Sequence, residues 1–489
     1  MGALACVCTT LSHARASGFD VPTVGTSASS PTTADAASVH FGPATMTGLS
    51  RVQLQTGAML LAGDVRYART RRAAYQYEDG LALASPVSAG AIDVTKTGDA
   101  ATVSTQPIAP AGYLFVAGPV IPDRFWLGGG LYAPYAAVLD FPADGPQRWQ
   151  VIDATLLVSQ ATISAAVKVH PRVSLGASVS YVGTLLEMYR IQDFAALDTL
   201  GDALAAPPIN QVNSLGSDAP PDVRELETLS RPIWLQRTVG HAVTFQAGLL
   251  VRAGRAVDIA AHYQHSTRVR ARGRFTLDMN DPFFTDDLEA QGLDFPARVE
   301  GDSTVIFTLP KRLTVGVGAP VHPRVRLDVQ ASWARWSDLD AFDITLESPD
   351  FEQPALGLGT QQRASIARDF VDAVDLRVLS TTNITKKGDL IAALGYASPA
   401  APTETVDTIT PDGHHLLGSV GYRHRFNTRF TLIADASFNY MLPREVSDSR
   451  DDLGNGTYNF FLSAVGLHLQ TSFGGDAVAP RAASATGSP

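Results

Sequence analysis

HPRVSLGASVSY (residues 170–181) and HPRVRLDVQASW (residues 322–333) use one tight turn twice, and each turn leads into the same alternation of apolar and polar residues. Successive strand side chains point to opposite faces, so every second residue shares an environment. In the first stretch Val173, Leu175, Ala177, Val179 and Tyr181 oppose Ser174, Gly176, Ser178 and Ser180. In the second, Val325, Leu327, Val329, Ala331 and Trp333 oppose Arg326, Asp328, Gln330 and Ser332. Residues 257–264 and 430–440 repeat the pattern after short turns rich in Arg or Asn. The apolar faces carry an aromatic near their far ends, at Tyr181, Tyr263, Trp333 and Tyr440, as an interfacial girdle requires. The opposite faces carry Arg, Asp, His and Gln, which suit a wet lumen and would be costly in the dry core of a secreted sandwich. The expected fold is all-β, a transmembrane antiparallel barrel.

Composition agrees with one large β domain. The 489-residue chain has 45% hydrophobic residues and no apolar run of the roughly 18 residues that would cross a membrane as a helix. Barrel strands escape such a search because their lipid-facing and lumen-facing residues alternate. A net charge of −10 with scattered Lys and Arg argues against a nucleic-acid partner. The two cysteines, Cys6 and Cys8, offer neither a disulfide framework nor a thiolate metal site. Residues 1–16 resemble the end of a truncated secretory signal, with Ala14-Arg15-Ala16 as the small-x-small site.

The rest of the chain divides accordingly. Residues 17–50, rich in Ala, Ser, Thr and Gly and broken by Pro22, Pro31 and Pro43, read as a compact irregular segment. Residues 51–473 read as the barrel, with short turns at one end and long extracellular connections near 185–235, 278–301 and 347–413. Within the first, Leu185, Met188, Ile191, Phe194 and Leu197 recur every third residue, close to a helical stripe. The final strand closes on Phe473, and the polar tail 474–489 is expected to be disordered. His414-His415 lacks companions at ligand spacing, the acidic runs at 285–289 and 448–452 read as solvated loops, and no nucleophile elbow occurs. Neither an enzyme, nor a bound metal, nor a cofactor is expected.

Several motifs together resemble the FadL family of outer-membrane transporters for long-chain fatty acids and other hydrophobic compounds. These are Gly18-Phe19, ADAASVHFGPATM with Asp35, Pro43 and Ala44, GGGLYAPY, FTLPKRLTVGVG with Leu309-Pro310, and ASWARWSDL with Trp336-Ser337. Gly42 stands where the family pattern has Asn, which removes a side chain able to bond nearby backbone. The resemblance implies a barrel of 14 strands plugged by an N-terminal hatch in its lumen, a bacterial outer-membrane location, and uptake of fatty acids or similar molecules. It also implies capture in an extracellular loop groove and passage past the hatch beside an inward-kinked strand. Its expected partners are the hydrophobic ligand, outer-membrane lipids and lipopolysaccharide, and the barrel assembly machinery. Aromatic-hydrocarbon transport by the same family, a general porin and a structural surface barrel are the alternatives.

On this reading Leu185, Leu186, Met188, Tyr189, Phe194 and Leu197 are candidates for one groove wall, and Phe283, Phe284 and Leu288, with Leu293 and Phe295, for the facing wall; internal packing of the loops is the competing reading. Phe19 is a candidate contact to ligand in the hatch, and Asp35 with the Gly42-Pro43-Ala44 bend a candidate for positioning the plug. Among the basic residues Arg252, Arg255, Arg268 and Arg270, none stands out as the one that meets a ligand carboxylate.

Overall fold

In the computed structural model the described residues are 24–70, 102–193, 230–254, 256–287, 289, 292, 294–354, 358–449 and 454–474. Phe19, Phe194, Leu197, Leu288 and Leu293, and with them the leader and tail readings, lie outside these residues, as does the side chain of Phe283. The strands hydrogen-bond to their neighbours in antiparallel order, and the first closes on the last from Val52↔Phe473 to Arg69↔Gly456.

The fourteen spanning strands are β1 (Val52–Arg69), β2 (Thr102–Thr105 continued by Ile108–Ile121), β3 (Phe125–Asp140), β4 (Asp153–His170) and β5 (Val173–Asp193). Then come β6 (Ser230–Ala253), β7 (Val257–Gln264 and Thr267–Asp278), β8 (Arg298–Leu309 and Lys311–His322), β9 (Val325–Arg335 and Ala341–Glu347) and β10 (Gln361–Ala367 and Ala373–Asn383). The circuit finishes with β11 (Gly388–Ala397), β12 (His415–Arg425), β13 (Phe430–Val446) and β14 (Gly456–Phe473). Breaks inside strands have local causes: Pro310 and Pro107 supply no N–H, and Trp336–Asp338 form a 3-10 turn.

The alternation decides which face meets lipid. Val179, Tyr181, Val329, Trp333, Phe430 and Tyr440 are exposed, whereas Ser174, Ser178, Ser180, Asp328 and Ser332 are buried toward the lumen. Exposed aliphatic side chains running round the whole wall mean that the solvent there is hydrocarbon.

Two expectations need correction. Leu185 to Asp193 are no helix; they continue β5, paired with β4 and β6. The register with β6 shifts between Leu186 and Met188, but the extra residue lies on β6, where Arg237 sits in the left-handed region at φ 43°, and β5 keeps unbroken register with β4 through Tyr189. The spacing of three took residues from alternate faces of one strand, Leu185 outward and Met188 inward. The stretch 347–413 is also no single loop, since it contains all of β10 and β11. Division of β10 at residues 368–372 shortens each alternating run, which hid the strand.

The hatch fills the end of the lumen where the turns are short. A four-residue helix, α1 (Ser38–Phe41), is followed by a 3-10 turn (Pro43–Gly48). Gly42 between them is extended at φ 163°, and a Cβ there would meet nothing nearer than 3.5 Å. Packing therefore does not demand Gly at this position. The demand lies in the wall: Gly176 and Gly248 face each other on β5 and β6, and a Cβ on Gly176 would stand 2.4 Å from the Ala44 nitrogen. Pro43-Ala44 thus sits on a patch of bare backbone.

Candidate ligand route and hatch

The wall opens between β2 and β3. Their ladder runs only from Ile121↔Phe125 to Leu114↔Leu131; beyond it residues 132–140 of β3 pair with β4 alone, and residues 108–113 with β1 alone. Pro107, Pro110 and Pro134 lack the N–H groups that would extend the ladder, and Pro134 sits where the register of β3 shifts between Tyr132 and Tyr135. The Thr105 hydroxyl donates to the Asp140 carbonyl at the far end, so the gap is a bounded window.

An apolar cavity of about 260 Å³ occupies this window. It is walled by Ala109, Tyr113, Tyr132, Ala136 and Ala137 at the window edges, Met59 and Leu61 of β1, Phe460 of β14 and Val24 of the hatch. Val138 and Leu157 belong both to its lining and to the exposed outer surface, so the cavity joins lumen and lipid. A second apolar cavity of about 50 Å³ shares Ala137, Leu139 and Ile409 with the first. Leu186, Met188, Leu235, Phe342 and Ile366 line it, together with Arg368.

Arg368 is 1% exposed and lies in the break of β10. Its Nη1 donates to Asp407 at 2.7 Å, and the guanidinium carbon stands 5.3 Å from the Phe342 ring centre. Among the described residues its Nε and Nη2 have no hydrogen-bond partner. Asp407 is itself held through its other oxygen by the amide and hydroxyl of Thr410. The free edge of a fixed guanidinium is a fork for a carboxylate or phosphate.

The candidates from sequence therefore divide. Leu186 and Met188 line the second cavity. Leu185 and Tyr189 face outward: Leu185 pairs with the exposed Leu157 and Val239, and Tyr189 stacks on Trp234. Phe284 is buried in the core and meets Phe295 edge-on at 6.3 Å, and neither lines the two apolar cavities described above. Asp35 and Ala44 are buried in the hatch. Arg268 and Arg270 are exposed on the outer wall, and Arg252 is ion-paired with Asp258 at 3.9 Å. Arg368 carried no sequence signal, because its burial depends on a break in a strand.

Polar clamps hold the hatch against the cavity. Arg377 donates from Nη1 to the Ser29 carbonyl (3.0 Å) and from Nη2 to the Ser27 carbonyl (2.8 Å). The Ser27 amide donates to Asp435 at 2.7 Å, and Thr32 donates its hydroxyl to Asp328 at 2.6 Å. Asp435 also meets His468 Nε2 at 2.9 Å, and His468 Nδ1 meets the Tyr113 hydroxyl at 2.8 Å. A continuous polar chain thus links Tyr113 on the cavity wall to the hatch backbone.

Burial pushes the Asp35 carboxyl up to about 6, partly offset by the Ser29 hydroxyl and the charge of Arg423. Because the folded pKa exceeds the unfolded one, the associated stability is fully present below about pH 4 and is lost as pH rises through 6. The shift corresponds to roughly 2–3 kcal/mol by neutral pH. Amides of residues 24–50 are expected to exchange with deuterium more readily at pH 7.5 than at pH 4.5 after correction for intrinsic rates. Asp35→Asn should flatten that profile, and an identical pH dependence in the variant would refute the assignment.

Comparison with known proteins now adds the following. The family model described as outer membrane protein transport protein (OMPP1/FadL/TodX) matches residues 7–474. A FadL homologue from Pseudomonas aeruginosa superposes with a TM-score of 0.72 at 18% identity, covering 94% of this chain and 100% of that one. The Pseudomonas putida toluene transporter TodX gives 0.61 at 17% identity, covering 93% and 98%. The Ralstonia pickettii toluene transporter TbuX gives 0.58 at 16% identity, covering 90% and 94%. No curated protein matches the chain in a search by sequence.

Proposed function

The chain belongs to the outer membrane transport protein family of FadL and TodX, and from that premise we propose that its cargo is a long-chain fatty acid or a similar carboxylate-headed hydrophobic molecule. The family transports hydrophobic compounds across the bacterial outer membrane and is not enzymatic. The observation that carries the finer reading is the edge of Arg368, unbonded among the described residues, in a mostly apolar cavity that Thr155 and Glu187 also border. A carboxylate there would accept from Nε and Nη2 while its chain lies along Leu186, Met188 and Phe342, and transfer of that chain out of water supplies the driving force. From this cavity the chain would pass Ala137 into the window cavity and leave sideways between β2 and β3 toward lipid. The hatch fills the lumen below, which argues against a general diffusion porin.

The second reading is carriage of a neutral aromatic hydrocarbon. It is favoured by the window cavity, whose lining carries no formal charge at neutral pH. Uptake by cells lacking their own transporter separates the two. Arg368→Leu is expected to slow labelled oleate roughly tenfold, the equivalent of one charge-assisted hydrogen bond, and to leave labelled toluene unaffected. Equal slowing of both, or of neither, would remove the fatty-acid reading.

A further inference from the structure

The outer wall of β7 carries a ladder of four exposed arginines. In its Thr267–Asp278 segment Val269, Ala271, Phe275 and Leu277 are buried toward the lumen, while Arg268, Arg270, Arg272 and Arg274 are exposed. Alternation places all four on the face that lower down meets hydrocarbon. Arg274 is ion-paired with Asp302 at 3.8 Å, but among the described residues Arg268, Arg270 and Arg272 make no ion pair.

Height identifies what surrounds them. The aromatic girdle on this side is formed by Phe245, Tyr263 and His265, with Phe245 and His265 stacked at 4.4 Å. Arg268 follows the girdle residue His265 by three residues, just past the break in β7, and strands rise about 3.3 Å per residue at a tilt near 45°. The ladder therefore begins about 7 Å beyond the girdle and extends away from the hydrocarbon. Arginines left in hydrocarbon would be costly; at headgroup height they meet anions.

Beside the ladder lies an open polar pocket of about 470 Å³, lined by Trp234, Gln236, Thr276, Asp278, Asn280 and Arg298. Tyr189 stacks on Trp234 at 4.5 Å and 3°, and the strand order Tyr189, Trp234, Thr276 puts the pocket on the other side of the indole. An aromatic face ringed by amide, hydroxyl, carboxylate and guanidinium groups suits a sugar ring, which offers C–H bonds to the indole and hydroxyls to the rim.

We propose that this outward face of β6 to β8 binds a phosphorylated saccharide headgroup of the outer leaflet, with Arg268, Arg270 and Arg272 on phosphate and Trp234 under a sugar ring. The ligand class is that of lipopolysaccharide, and the site is separate from the transport route because its residues face away from the lumen.

The test uses the full chain in nanodiscs and fluorescent lipopolysaccharide. The triple variant Arg268→Gln, Arg270→Gln, Arg272→Gln is expected to bind about tenfold or more weakly and to lose the salt sensitivity of binding. Trp234→Ala should weaken binding severalfold, and Asn280→Ala, which leaves the Tyr189 stack intact, should also weaken it. Oleate uptake should not change in any of them. Displacement by the delipidated phosphorylated oligosaccharide supports headgroup recognition. Equal displacement by inorganic phosphate means a free-anion site, equal binding of phosphatidylglycerol means general attraction to anionic lipid, and unchanged affinity in the triple variant means no site; each overturns the proposal.

Discussion

Replacing Ala137 with Trp is expected to lower uptake of labelled oleate by roughly tenfold or more while the barrel still folds and inserts. Ala137 lies on β3 beside the window and is one of three residues common to both cavities. An indole there would occupy the passage between them, since the inner cavity holds only about 50 Å³. Forcing a side chain into such a space costs about 1–3 kcal/mol, and any ligand following it would meet the same barrier, where 1.4 kcal/mol is a factor of ten. The matching control is Ile163→Trp on the lipid-facing side of β4, which should leave uptake unchanged because an aromatic is at home on that surface. Full oleate uptake by the Ala137 variant, with heat-modifiable migration showing a closed barrel, would mean that cargo does not travel through the window.

The barrel was legible because its physics is local and repeated. A strand that meets lipid on one side and water on the other must alternate, and residues 170–181 and 322–333 do so without interruption. What was lost is what interrupts the alternation. Leu185 and Met188, on opposite faces of β5, fell at a spacing of three that mimics a helical stripe, and Leu186 and Met188 line the second cavity. The division of β10 concealed that strand and, with it, Arg368. The prolines of the window, Pro107, Pro110 and Pro134, were visible, but Pro removes a donor in any strand. Only register shows that all three fall where β2 and β3 would otherwise pair. Gly42 drew attention as a departure from the family pattern, whereas the constraint on the hatch proved to sit in Gly176 across the lumen.

The hatch itself should respond most strongly to Arg377. This residue is 1% exposed, and its two Nη groups supply the donors to the Ser27 and Ser29 carbonyls. Ser27 is thereby clamped from both sides, because its amide is held at the same time by Asp435. Arg377→Met keeps much of the volume but leaves both carbonyls without these donors, at about 1–3 kcal/mol for each buried group unless the hatch moves to find water. The apolar packing of Val39, Met46 and Leu49 on Phe115, Trp126 and Tyr132 resists that movement, and the loss of the clamps favours it. Even at the low end of that cost, about 2 kcal/mol for the two carbonyls, the population with an unseated hatch should rise roughly thirtyfold or more. In planar bilayers this would appear as frequent openings to small ions, against a nearly silent parent. Arg377→Lys, with one point charge in place of a fork, can reach one carbonyl but not both and should fall between. A silent Arg377→Met channel whose hatch amides stay as protected as the parent's would show that Arg377 is not what seats the hatch; Thr32 on Asp328 and Trp126 on the Leu49 carbonyl would then be the contacts to remove next.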